Sequence, residues 1–160
     1  MSKKIPSSPG KYLVCVAQNE ESRIALRFAC IKAKKRGGKV GMIHVTEPAD
    51  VQTLFAVADK MNEERREEAE SLMHKLAKEA HDSTGVMPSI TICEGTIGEE
   101  IINAAIEDHD ANMLVLGVAS PSSNHGKLIA WIANQLSSKI LIPMMLVPGN
   151  LTDQQMEELS

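Results

Sequence analysis

The stretch from Ala111 to Pro148 most constrains what this chain can fold into. A short apolar run, Met113 to Leu116, stops at Gly117 and gives way to a loop rich in Ser, Pro and Asn. An amphipathic helix is expected from Leu128 to Lys139, and a second apolar strand follows from Leu141 to Val147, ending at Pro148. In an open α/β sheet, small ligands settle outside the carboxyl ends of strands, where helix N-termini point backbone N–H groups outward. The loop after Gly117 is therefore the expected floor of any pocket.

The preceding chain repeats the same alternation. Tyr12 to Val16 is a continuous apolar run, as in a strand covered on both faces. Asn19 to Ser22 offers N-cap chemistry, and Ile24, Phe28 and Ile31 recur at helical spacing. The basic run Lys32 to Lys39 contains Gly37-Gly38, a stop signal. Val40 to Val45 reads as a second strand broken by Glu47-Pro48, and Val51 to Ala58 as a helical turn or loop. Asn62 to Ala80 is an amphipathic helix with Ala69, Leu72, Met73, Leu76 and Ala80 on one face, and its charge run EERREEAE reads as a solvated side. Ser89 to Cys93 alternates like a strand, and Thr96-x-x-Glu99 has the form of a capping box opening a helix that ends at Glu107.

The order β-α-β-α-β-α-β-α-β predicts an α/β fold, an open doubly wound five-stranded parallel sheet with helices on both faces, Rossmann-like in outline. We divide the chain into a flexible leader (1–10), a single domain (11–149) and a polar C-terminal tail (150–160), expected to hold no more than one frayed helical turn. With 2% aromatic residues, the core must be built from Val, Ile, Leu, Ala and Met. A net charge of −4 offers no basic excess to neutralise phosphates, which argues against nucleic acid as a partner. No run approaches the ~18 apolar residues of a membrane span, so no membrane association is expected. MSKKIPSSPGKY lacks the apolar core of a signal peptide, and a cytoplasmic location is expected. Cys15, Cys30 and Cys93 form no CxxC pair and read as small buried hydrophobes in a reducing compartment.

No catalytic constellation stands out. Gly126-Lys127 lacks the upstream glycine and following hydroxyl of a phosphate-binding P-loop, and the segment after the first strand holds no glycine. There is no G-x-S-x-G elbow, and the five histidines show neither HxxxH nor HExxH. Glu99-Glu100 opens a helix, where it complements the dipole. No catalytic or metal-ligating residue is assigned.

YLVCVAQNEES, MIHVTEP (Met42 to Pro48), Gly95-x-x-x-Glu99-Glu100-Ile101, and Ala111 to Gly117 followed by IANQLSSKILIPMMLVP (Ile132 to Pro148) occur in an order and spacing that resemble a small, single-domain universal stress protein. The likeness runs from Tyr12 to Pro148 and implies an adenine nucleotide alpha hydrolase-like fold. Nucleotide-binding members of that family carry G-x-x-G-x9-G-[ST] after the fourth strand. Here Gly117 keeps the first glycine, Ser120 takes the second, and Ala130-Trp131 replaces the Gly-Ser pair. The acidic residue that the family places at the end of strand one is Ala17, and Val45, whose backbone would face an adenine, is kept. The candidate pocket implied by the resemblance comprises Cys15, Val16, Ala17, Val45, Leu116, Gly117, Ser120, Ser122, Ser123, Ala130, Trp131 and Ile132. Trp131 either fills the space of a phosphate or turns into the protein and packs.

The last strand is apolar and uncharged, a hazard at a sheet edge unless paired. With the resemblance, this implies a homodimer joined near Met144, Met145, Leu146 and Val147. Three readings compete. One is a dimeric stress-response protein with a degenerate nucleotide site, acting through an unknown protein partner or a small ligand. Another is a sensor of ATP, AMP or another adenine nucleotide. The third is a slow ATPase or self-phosphorylating enzyme, disfavoured because no carboxylate is placed to help hold Mg²⁺.

Overall fold

The computed structural model describes residues 10–48, 55–119, 125–136, 138–139 and 142–160. Five strands, β1 (Lys11–Cys15), β2 (Lys39–Thr46), β3 (Ser89–Glu94), β4 (Ala111–Val118) and β5 (Met144–Pro148), alternate with helices α1 (Glu20–Arg36), α2 (Phe55–Thr84), α3 (Ile97–Glu107) and α4 (His125–Leu136). A short fifth helix, α5 (Asp153–Leu159), closes the chain. The sheet order is β3-β2-β1-β4-β5 and every pairing is parallel. The order reverses between β1 and β4, and there the helices above the two halves diverge and leave a crevice.

Side chains alternate across the sheet. Val14, Val16, Met42, Val115 and Val147 pack with Ala25, Leu26, Ala29, Met73 and Leu76 on one face, under α1 and α2. Leu13, Ile43, Leu114 and Leu116 pack with Ile101, Ile102, Ala105 and Ile132 on the other, under α3 and α4. Burial of both faces is why the strands read as unbroken apolar runs rather than alternating ones.

Local chemistry fixes α1 at both ends. The Asn19 side chain accepts a hydrogen bond from the Ser22 N–H at 2.9 Å. Gly37, in the left-handed region at φ 77°, donates its N–H to the Ala33 carbonyl at 2.7 Å. The expected capping box at α3 is not made: Thr96 is the N-cap, but its side chain makes no cap hydrogen bond. Its carbonyl accepts from the Glu100 N–H at 3.0 Å, the ordinary first bond of the helix.

Several boundaries move. The second helix begins at Phe55, well before Asn62, and absorbs part of the expected turn at Val51 to Ala58; residues 49–54 lie outside the described set. The fourth helix begins three residues earlier than Leu128 and ends at Leu136, with Ser138 and Lys139 in a turn. Its amphipathic pattern shows only where helix faces core, so ends carrying polar residues are not visible in it.

The C-terminus departs most from expectation. Residues 150–160 are not simply a polar tail. Thr152 and Gln155 form a reciprocal capping box that starts α5, and Met156 is fully buried in the core under α1. Arg27 pairs with Asp153 at 2.7 Å, and Lys35 with Glu157 at 3.1 Å. A seven-residue helix presents a single apolar anchor to the core, too little for a periodic signal.

Candidate functional site

The crevice at the carboxyl ends of β1, β2 and β4 holds a cleft of about 100 Å³. Cys15, Val16 and Ala17 enter it from β1 and the loop after it, Val45 from β2, and Leu116 and Gly117 from β4. Ile97 and Ile101 of α3 and Leu128 of α4 close it on one side, while Asn19, Glu21 and Ser22 bring in the start of α1. Ile43 and His44 complete the described lining. Ile97 and Ile101 are one turn apart, so one helix face supplies both.

Backbone groups at the end of β1 are already bonded within the chain. The Val16 N–H donates to the Ile43 carbonyl at 2.7 Å, and the Ala17 N–H donates to Ser22 Oγ at 3.0 Å. The Ala17 carbonyl accepts from the Asn19 N–H at 2.9 Å. His44 Nδ1 lies 2.7 Å from the Val16 carbonyl oxygen. A carbonyl only accepts, so Nδ1 carries the proton, and the ring pins the end of β1 to β2.

Gly117 has a structural reason of its own. A Cβ there would overlap the Glu21 carbonyl, and one at Gly149 would come within 2.7 Å of the Glu21 Cβ. The first turn of α1 is thus seated between two glycines, and this approach needs no ligand to explain it.

Glu21 is the carboxylate among the described lining residues, and no Lys or Arg is found there. Burial pushes the Cys15 thiol up to about 12, so it stays protonated. The described lining is mostly apolar. Among the described residues, no three His, Cys, Asp or Glu side chains gather to hold a metal. A larger groove of about 1050 Å³ lies between β2 and α2, but Glu64, Arg65, Glu67, Glu68 and Lys75 line it. Arg65 there donates to the Glu47 carbonyl at 2.8 Å. That groove is rimmed by the solvated charge run of α2.

The family model described as the universal stress protein family matches residues 10–148. The chain belongs to the universal stress protein family. Solved universal stress proteins share its fold. One from Lactobacillus plantarum superposes with a TM-score of 0.72 at 15% identity, over 88% of this chain and 99% of that one. One from Burkholderia pseudomallei gives 0.70 at 16% identity, over 89% and 99%. A third, from Archaeoglobus fulgidus in complex with dAMP, gives 0.62 at 18% identity, over 91% and 98%. No curated protein matches the sequence.

Set against the universal stress protein motif, the cleft assembles half of the twelve candidates: Cys15, Val16, Ala17, Val45, Leu116 and Gly117. Ala130, Trp131 and Ile132 are not among its lining. Ile132 is fully buried in the core beneath α4, and Ala130 is exposed on the helix's other side. Trp131 does not fill the cleft; its ring lies against Gly98 of α3 and is 38% exposed. Ser120, Ser122 and Ser123 lie outside the described residues. Reading position by position missed the apolar wall of Ile97, Ile101 and Leu128, as well as Ser22 and His44. The spacing of Ile97 and Ile101 carried a signal, but which face they turned to required the sheet.

Proposed function

We propose that this universal stress protein is a cytoplasmic stress-response protein that acts through a protein partner or a small ligand, and that its nucleotide site is degenerate. The observation that carries this reading is the cleft itself. It is about 100 Å³, apolar, edged by Glu21, and its strand-end N–H groups are consumed inside the chain. A triphosphate needs cations as well as donors at that place, and the described lining holds no Lys or Arg. The three free thiols suit a reducing compartment, and among the described residues no helix is long and apolar enough to cross a membrane.

A second reading, an adenine-nucleotide sensor using Gly117, Ser120, Ser122 and Ser123, is favoured by one observation. A protein of the same fold was crystallised with dAMP. We further propose a homodimer through β5, an edge strand on which Leu146 is 44% exposed while Met144 and Met145 are half-buried; Val147, also expected at that interface, is 1% exposed and packs in the core instead.

A thermal-shift series with ATP, ADP, AMP and cyclic AMP, with and without Mg²⁺, separates the two readings. A ligand that binds only the folded state stabilises it by about 2.7 kcal/mol at 100 times its Kd. The degenerate-site reading expects no shift with millimolar ATP in the native protein. It expects a gain after the combined changes Ala17→Asp, Ser120→Gly and Trp131→Ser. A clear ATP shift in the native protein sinks it in favour of the sensor.

A further inference from the structure

The C-terminal helix α5 lies beyond residues 10–148, which the family model matches, and it is seated on α1. Arg27, Ile31, Lys34 and Lys35 recur at helical spacing, so one face of α1 carries three cations around an apolar residue. α5 answers that face with the opposite charge. Asp153 pairs with Arg27 at 2.7 Å and Glu157 pairs with Lys35 at 3.1 Å, while Lys35 Nζ also donates to the Glu157 carbonyl. Met156, between the two acids, is fully buried, and Ile31 packs against the same core cluster. The face that the seat accepts is therefore an acid, an apolar residue three positions on, and a second acid next to it.

The seat is larger than its occupant. A cavity of about 570 Å³ remains beside α5, walled by the same face of α1 and by Ser83 and Thr84 at the end of α2. Lys34 lines it and makes no ion pair among the described residues. The occupant is also weakly held. At seven residues, α5 is shorter than the ~12–15 that an isolated helix needs, so it depends on the seat to stay helical. Asp153 is 81% and Glu157 61% exposed, which leaves Met156 as the main tie. A short helix held by one buried side chain is an element of low local stability.

We propose that this face of α1 is a docking groove for an acidic amphipathic helix of a partner protein, and that α5 is the resident occupant the partner displaces. This rests on the protein-partner form of the function proposed above. The partner's chemistry is read from α5, because a helix laid in a groove is recognised by anchors at such spacings. A longer helix of the same pattern brings a further acid to Lys34 and fills the cavity, which offsets the release of α5. In a chain of net charge −4, three cations on one helix face also steer an acidic partner to that place.

The probe is a dye-labelled peptide of residues 150–160, followed by anisotropy on the full-length chain. The native protein, whose own α5 fills the seat, is expected to bind it roughly tenfold or more weakly than Met156→Ser, whose α5 has lost its anchor. A peptide carrying Asp153→Lys and Glu157→Lys loses that binding. Arg27→Glu with Lys35→Glu inverts the preference, taking the lysine-bearing peptide and rejecting the parent; it keeps Met156 and decides the matter if Met156→Ser does not fold. Lengthening the parent peptide by one helical turn with two added glutamates tightens binding, and Lys34→Ala removes the gain.

Equal binding of the parent peptide to the native protein and Met156→Ser overturns the proposal, as does binding indifferent to the charge reversals. Lengthening without gain, or a gain that survives Lys34→Ala, overturns it too, because α5 then already fills the groove. A native dimer that Arg27→Glu with Lys35→Glu turns into a monomer in light scattering places a second copy's α5 in the seat, and the partner helix is refuted. If no peptide binds any variant, the groove is wrong while a protein partner remains for another surface. A clear ATP shift in the native protein removes the function proposed above and leaves these titrations to stand or fall by themselves.

Discussion

Replacing Met156 with alanine tests whether residues 150–160 belong to the folded unit. Met156 is 0% exposed and touches the core formed by α1 and the sheet. The substitution removes three methylene-sized groups, worth roughly 2.4 kcal/mol at ~0.8 kcal/mol each. The cavity left behind adds to this, and measured Met→Ala changes in cores run about 2–5 kcal/mol. Here the upper end is out of reach, because α5 has only seven residues and can leave the core as a unit. Its remaining ties are weak. Asp153, paired with Arg27, is 81% exposed, and the Lys35–Glu157 pair is also solvent-facing, so each contributes under ~1 kcal/mol after screening. The expected cost is about 3 kcal/mol, or roughly 6–12 °C in Tm for a domain of this size. Deleting residues 150–160 outright is expected to cost within ~1 kcal/mol of the point change, since both release the same helix. Urea melts of the three proteins measure this directly. A Tm drop below roughly 2 °C for Met156→Ala, with fast amide exchange over 153–159 in the native protein, would show that the helix is not docked in solution.

Three further outcomes follow from the packing. Gly117→Ala is expected to destabilise by about 1–3 kcal/mol without any ligand, because its methyl collides with the Glu21 carbonyl; native stability in urea would contradict the close approach. Burial pushes the thiol of Cys30 up to about 12 from 9.0, so the native state keeps a proton that the unfolded chain loses. Stability is therefore expected to fall as pH rises above about 9, by up to ~1.4 kcal/mol per pH unit from this thiol. Cys30→Ala should flatten that slope relative to the native protein, and equal slopes would refute it. For the proposed dimer, Met145→Lys with Leu146→Lys is expected to give a monomer in light scattering, whereas a persistent dimer moves the interface elsewhere.

Much of the fold was legible because it rests on short-range patterns. The five apolar runs and the helical spacing of Ile24, Phe28 and Ile31 each report burial within one element. The asparagine cap and glycine stop of α1 formed as the local chemistry implied. The Thr96–Glu99 box did not: Thr96 is the N-cap, but its side chain makes no cap hydrogen bond. Six of the cleft residues could be placed by position along the motif because strand ends converge in any doubly wound sheet.

By itself, the sequence determined that the strands are parallel and covered on both faces, since continuous apolar runs joined by amphipathic helices can satisfy their burial in no other common way. The tertiary structure decided the rest. It sent Trp131 to Gly98 rather than into the cleft, gave Gly117 the task of admitting α1, and drew Met156 into the core. The physical reason is common to all three. Each outcome depends on a contact between residues far apart in the chain, where the shape of the meeting surfaces, and not the periodicity of either segment, fixes what fits.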